Sequence, residues 1–252
     1  MTTRLTTRGT TRSTTRGTSP APSFTPASIA NLAVWLDAMD ASTVLRDTGS
    51  GFVPAANGEA VARWVDKSAN AHILAQTVSG NRPLLSTSAG PSGGRAITFD
   101  GANDFLLKAS LVFDFPCTVF TVMRQNSFTT SDMVYETRGA GGRPLLIQRV
   151  AAGQIRGPFD SPIVSHTLST WNVVTQRMSA TVNTVRIDGG TENSGTAGAS
   201  SGAGSLTIGA NNLGLSAWCH VDFAAIIAYS RILTADEEAQ VRNFLKTQYG
   251  TP

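Results

Sequence analysis

The chain has 252 residues, 41% hydrophobic and only 15% charged, with 24 glycines and a formal charge of +3. That length suits one large sandwich or two small domains, and the few charged helix formers favour strands and loops over helices. Two cysteines in a chain this long exclude a disulfide framework, three dispersed histidines exclude a zinc-site spacing, and no apolar run reaches the ~18 residues of a membrane-spanning helix.

The first seventeen residues repeat with period four, as Thr-Thr-Arg followed by Leu5, Gly9, Ser13 and Gly17. Arg4, Arg8, Arg12 and Arg16 are the only charged residues before Asp37, so the rest of the chain is close to neutral. With almost no apolar surface, this segment cannot offset its ordering entropy alone. In an extended backbone, period four places all four arginines on one face, roughly 13 Å apart. The segment reads as an anchoring arm that orders on other subunits of an assembly or on its own symmetry mates, which implies a homo-oligomer. A solvated tail is the bland alternative. Nucleic acid is the weaker partner, because the arm has no aromatics for stacking and few charges for counterion release. Pro20, Pro22 and Pro26 make a stiff spacer, in which Phe24 is the one bulky apolar group. The division is an arm and linker over residues 1–27 and a folded domain over 28–252.

Strands are expected at 33–38, 61–68, 95–101, 117–123, 144–150, 171–177, 181–188, 205–209 and 221–229, separated by turn-rich stretches without helices between them. That pattern implies an all-β, two-sheet jelly-roll sandwich. One helix is signalled near the C-terminus. Thr234 and Glu237 form a capping box, Val241, Phe244 and Leu245 make an apolar stripe, Lys246 suits the C-terminal end and Gly250 is placed to stop it. Cys117 and Cys219 read as two buried thiols, with a single bridge as the alternative.

Three stretches carry a family resemblance. They are Leu32–Ala38 with Val61–Asn70; Arg82–Leu85 leading to Ile97–Leu106; and Ala228–Thr234 with the helix through Gly250. Together they make the chain resemble the laminin-G-like jelly rolls of the concanavalin A-like lectin/glucanase superfamily, as found in phage virion proteins. The fold hosts lectins, glycosidases, adhesion modules and virion proteins, so it does not decide function.

Glycosidases of that superfamily set carboxylates at alternating positions of one strand. Here Glu59, Glu136, Glu192, Glu237 and Glu238 form no such motif, and Asp37 and Asp40 are three apart, so no enzyme activity is expected. The run Gly139-Ala140-Gly141-Gly142 lacks the Lys-Ser/Thr of a phosphate loop. Asp100, Asn103 and Asp104 offer hard oxygen ligands in one short loop, and similar domains bind calcium through such loops. The same residues also read as an Asp-Gly turn with its caps, and no cofactor is required. Trp35, Trp64 and Trp171 fall in strand patterns and read as core. Trp218, preceded by Asn211 and Asn212, is the best sugar platform, with a buried Trp218 as the alternative.

Two functions are therefore expected. One is a non-catalytic structural protein of a phage-type particle, a capsid decoration, fibre or spike subunit anchored by its arm. The other is a carbohydrate-binding module that recognises a cell-surface glycan. Residues 1–20 hold no apolar run of the kind a secretory leader needs, which goes with synthesis in a host cytoplasm and a place in a virion.

Overall fold

Side chains alternate across a strand, so a strand with one apolar face must bury it against a second layer, and one with two apolar faces needs layers on both sides. The computed structural model describes residues 24–111, 114–138, 145–148, 151–157, 163–181, 183–195 and 204–251. In chain order its strands are β1 (Leu32–Asp37), β2 (Val44–Leu45), β3 (Arg63–Val65), β4 (Ile73–Ala75), β5 (Leu84–Ser86) and β6 (Ala96–Asp100). Next come β7 (Leu106–Ala109), β8 (Cys117–Gln125), β9 (Met133–Arg138), β10 (Leu145–Gln148), β11 (Gln154–Arg156) and β12 (Ile163–Ser165). The series ends with β13 (Trp171–Met178), β14 (Asn183–Ile187), β15 (Asn193–Gly195), β16 (Ser205–Ile208), β17 (His220–Tyr229) and the helix α1 (Ala235–Tyr249).

These strands form the expected two-sheet sandwich. The first sheet has the order β15-β14-β13-β8-β17-β6-β5, with β1 also paired to β17; the second runs β12-β11-β10-β9-β16-β7-β4-β3-β2. β17 is the long strand of the first sheet. Along one edge it pairs with β8; along the other, β6 takes residues 220–223 and β1 takes residues 225–229. The ladder shifts register between Phe223 and Ala225, where the partner strands change over.

β8 shows why the layers stack as they do. Cys117, Val119 and Met123 join the core between the sheets, while Phe120 and Val122 join a second cluster on the opposite face. Within the main core Phe99 and Phe223 meet edge-on with centroids 5.5 Å apart. The second cluster is roofed by α1, whose Val241, Leu245 and Tyr249 are buried against Trp35, Phe120 and Ile227. The helix begins with the expected capping box and ends at Gly250 in the left-handed region, φ 62°. Tyr249 donates to Asp37 at 2.8 Å, and Phe24 and Trp35 both meet the ring of Phe244 edge-on, at 6.2 and 5.9 Å. Among the described residues, packing onto the body starts at Phe24, and the Tyr229 hydroxyl donates to the Pro26 carbonyl at 3.0 Å.

Several elements differ from expectation. The second strand is only Arg63–Val65, because Asp66 leaves the ladder to accept from the backbone N–H groups of Trp35 (2.7 Å), Ser68 (2.8 Å) and His72 (3.3 Å). The strand expected at 181–188 stops at Ile187, since Asp188 turns left-handed at φ 51°. Trp171 is not in the core between the sheets. It lies half-buried in the second cluster, with Arg124 stacked 5.3 Å from its ring and its indole N–H on the Ala89 carbonyl at 3.2 Å. Trp64 is fully buried between the sheets, and Trp35 is buried under the helix. Cys117 and Cys219 are buried and form no disulfide. They sit beside opposite ends of β17, because Thr118 pairs with Tyr229 while Cys219 immediately precedes His220. Arg4, Arg8, Arg12 and Arg16 lie outside the described residues, as does the Gly139–Gly142 run.

Candidate functional site

Two crossings between the sheets bring the sequence-predicted residues to one end of the sandwich. β6 leaves the first sheet at Asp100 and β7 enters the second at Leu106; β16 leaves the second at Ile208 and β17 enters the first at His220. Asp100 pairs with His220, and Ile208 pairs with Leu106, so the loops 101–105 and 209–219 run side by side. Contact is close. A Cβ on Gly101 would stand 2.9 Å from the His220 backbone nitrogen, and one on Gly214 would overlap the ring of Phe105.

The first loop is closed on itself. One Asp100 carboxylate oxygen accepts the backbone N–H groups of Ala102 (2.8 Å), Asn103 (3.2 Å) and Asp104 (3.3 Å), and the Asp100 N–H donates to Asp104 at 3.1 Å. Burial, together with the neighbouring Asp100 charge, pushes the Asp104 carboxyl up to about 6. Calcium needs six to eight oxygens with their charge free. Here the Asp100 oxygen is already spent on three donors, and among the described residues no group of three His, Cys, Asp or Glu side chains gathers to hold a metal. The described hydrogen bonds are those of an Asp-Gly turn with its caps.

The second loop is rigid and strained. Leu213 (φ 65°), Gly214 (φ 81°) and Ala217 (φ 54°) are all left-handed, a conformation that costs a non-glycine residue free energy and concentrates where a loop is held for a purpose. It is pinned by Gly214 N–H on the Asn211 carbonyl (2.7 Å), Asn211 N–H on the Ser216 carbonyl (3.0 Å) and Met133 N–H on the Ala217 carbonyl (2.9 Å). The Ser216 hydroxyl donates to the Asn211 side chain at 2.9 Å. Trp218 forms a bridge to Met133 and is half-buried, with its indole N–H shielded and without a partner. Leu213 and Leu215 project outward, 45% and 66% exposed. Sequence reading selected Trp218 and Asn211 but missed Leu213, Leu215 and Phe105. The available signal was two leucines inside the turn-rich run Asn211–Ser216. Asn212 lies on the backbone of the same turn.

A polar pocket also lies between the turn after β14 and the helix. It is lined by Val173, Asp188, Gly189, Arg242, Asn243 and Lys246 and holds 180 Å³. None of these was singled out from sequence, because α1 reads as structural and Asp188-Gly189-Gly190 as a turn. Asp188 is rigidly held: its carboxylate accepts Val173 N–H at 2.6 Å and the Asn172 amide at 2.9 Å, and burial raises its carboxyl above the usual range.

Most acids elsewhere are committed to the fold. Asp37 and Asp40 converge on Lys67, at 2.9 and 3.0 Å, and that ammonium also sits 4.5 Å from the Trp35 ring. Asp222 pairs with Arg124 at 2.6 Å, Glu237 with Arg231 at 2.6 Å, and Glu192 with Arg177. The hydrogen bond from Arg231 holds the Glu237 carboxyl below its ordinary value, and the one from Ser42 does the same for Asp40.

Neither a protein-family model nor a curated protein sequence matches the chain. Solved structures do resemble it. Domain 4 of AbnA, an extracellular GH43 arabinanase from Geobacillus stearothermophilus solved with arabinotriose, matches at 15% identity and a TM-score of 0.55, over 84% of this chain and 97% of that one. The botulinum neurotoxin serotype G binding domain matches at 10% identity and a TM-score of 0.55, over 88% of this chain and 54% of that one. Trypanosoma rangeli sialidase, in a complex with sialic acid, matches at 16% identity and a TM-score of 0.49; the match covers 89% of this chain and spans 34% of the sialidase chain. At such identities the first two likenesses concern the fold alone, and they agree with a two-sheet β-sandwich; the third adds no argument.

Proposed function

We propose that the chain is a non-catalytic carbohydrate-binding module that recognises a cell-surface glycan. The observation that carries this reading is the internally bonded loop 209–219, which leaves Trp218 partly exposed on the same loop as Asn211 and next to the loop 101–105. Sugar rings stack an apolar face on an aromatic while their hydroxyls pair with nearby polar groups. The commitment of most described acids to ion pairs and backbone donors supports a role without bond chemistry. The lectin-like architecture supports it too, and the arabinotriose bound to the AbnA domain shows that a sandwich of this shape holds an oligosaccharide in that protein.

The test is a glycan array probed with the full chain. A defined set of glycans is expected to bind, and Trp218→Ala should abolish binding while the melting temperature stays within a few degrees of the parent. A blank array, or binding unchanged in the variant, overturns the assignment.

A second reading rests on the Thr-Thr-Arg repeat. A row of four arginines suits attachment to an acidic protein surface, and under this reading the module is a structural subunit of a phage-type particle, tethered by its arm. The two roles are compatible if a particle uses the module to reach its host.

A further inference from the structure

The pocket between β14 and α1 has a chemistry of its own. At 180 Å³ it is smaller than the 300–1,000 Å³ of pockets for drug-sized ligands, which fits a single sugar ring. Its turn wall is fixed by left-handed Asp188 and Gly189, at φ 51° and 72°. Gly189 adds no side chain, and a Cβ there would stand 3.9 Å from Nε of Arg242. Opposite, Arg242 is only partly neutralised. Its Nη1 reaches Glu238 at 3.1 Å, but that same carboxylate also pairs with Arg186 and, at 3.4 Å, with Arg177. Glu238 is thus shared among three guanidinium groups, of which Arg177 also pairs with Glu192. Lys246 lies one helical turn beyond Arg242, exposed and without an acidic partner among the described residues, and the Asn243 amide makes no hydrogen bond among them. Two cations therefore face one carboxylate across a cavity with Val173 as its apolar floor.

We infer that this cavity is a sugar subsite selective for a ring that carries a carboxylate, bound to Arg242 and Lys246, while a ring hydroxyl donates to Asp188 and the ring's apolar face lies on Val173. The inference rests on the glycan-binding reading and uses residues separate from the Trp218 loop. An uncharged sugar leaves both cations unanswered, and a simple anion such as phosphate brings no apolar ring face to lie on Val173.

The test is a solution NMR titration of the full chain with methyl β-D-glucuronide and methyl β-D-glucoside, which differ only by the carboxylate, and with sodium phosphate. The glucuronide is expected to bind about tenfold more tightly than the glucoside and than phosphate, as a charge-assisted contact provides. It should shift the amides of Asp188, Gly189 and Gly190. Lys246→Gln removes a side chain with no structural partner, so it should fold normally and lose the preference. Equal affinity for the two glycosides, phosphate binding as tightly as the glucuronide, or a preference that survives Lys246→Gln overturns the inference. The array keeps the two readings apart. Glycans bound through Trp218 without any preference here would leave the module reading intact, whereas a blank array would remove its basis.

Discussion

At the level of single residues, the molecule commits its charges locally, and Asp104 is the costly exception. Its carboxyl is raised from 3.8 to about 6, first by burial and then by the Asp100 charge beside it. The folded state therefore holds the proton more tightly than the unfolded chain does. The resulting stability is complete below pH 3.8 and is lost as the pH rises through about 6. Asp104→Asn keeps an acceptor for the Asp100 N–H and removes the charge. Urea unfolding should show the variant about 1 kcal/mol more stable than the parent at pH 7.5, a figure discounted for partial solvent screening, with no gain at pH 3. A variant less stable at pH 7.5 would mean that the carboxylate is held charged, as a bound cation would require.

At the level of elements, α1 rests on its ends as well as its apolar stripe. Thr234→Ala removes the acceptor for the Glu237 N–H and should cost about 1 kcal/mol in chemical denaturation, with Thr234→Ser close to the parent. An unchanged midpoint would show that the helix start is solvated rather than capped. This helix was legible from sequence because capping and stopping are local signals, written in Thr234, Glu237 and Gly250. β8 and β17 were legible because they are long and apolar. β2, β4, β7, β11 and β15 are two to four residues each, too short for alternation to register. β9 escaped notice for a different reason: Glu136 and Thr137 are buried side by side in it, breaking the apolar pattern. The two loops at the sandwich end were each visible as polar, turn-rich segments, but their adjacency depends on the registers of β6 with β17 and β7 with β16. The Asp188–Lys246 pocket is a tertiary product of a turn and a helix more than fifty residues apart, and no local pattern announces it.

At the level of the whole molecule, the anchoring reading divides the labour between the basic arm and the near-neutral body. Residues 2–17 hold almost no apolar side chain to bury, so on that reading deleting them should leave the thermal midpoint unchanged. On the anchoring reading, the same deletion should abolish co-sedimentation with assembled particles. Truncated protein that still sediments would end that reading, and truncated protein that melts lower would show that the arm also braces the sandwich.

The pairing of β1 with the far half of β17 has a kinetic side. Residue 32 finds its ladder partner only at residue 229, and β1 has no other neighbour in its sheet. During synthesis, β1 therefore waits for this partner until residues 225–229 have left the ribosome. Closing so long a loop is slow, and an unpaired apolar strand recruits other chains in the interval. Any truncation that removes β17 thus yields a sticky intermediate instead of a smaller functional product.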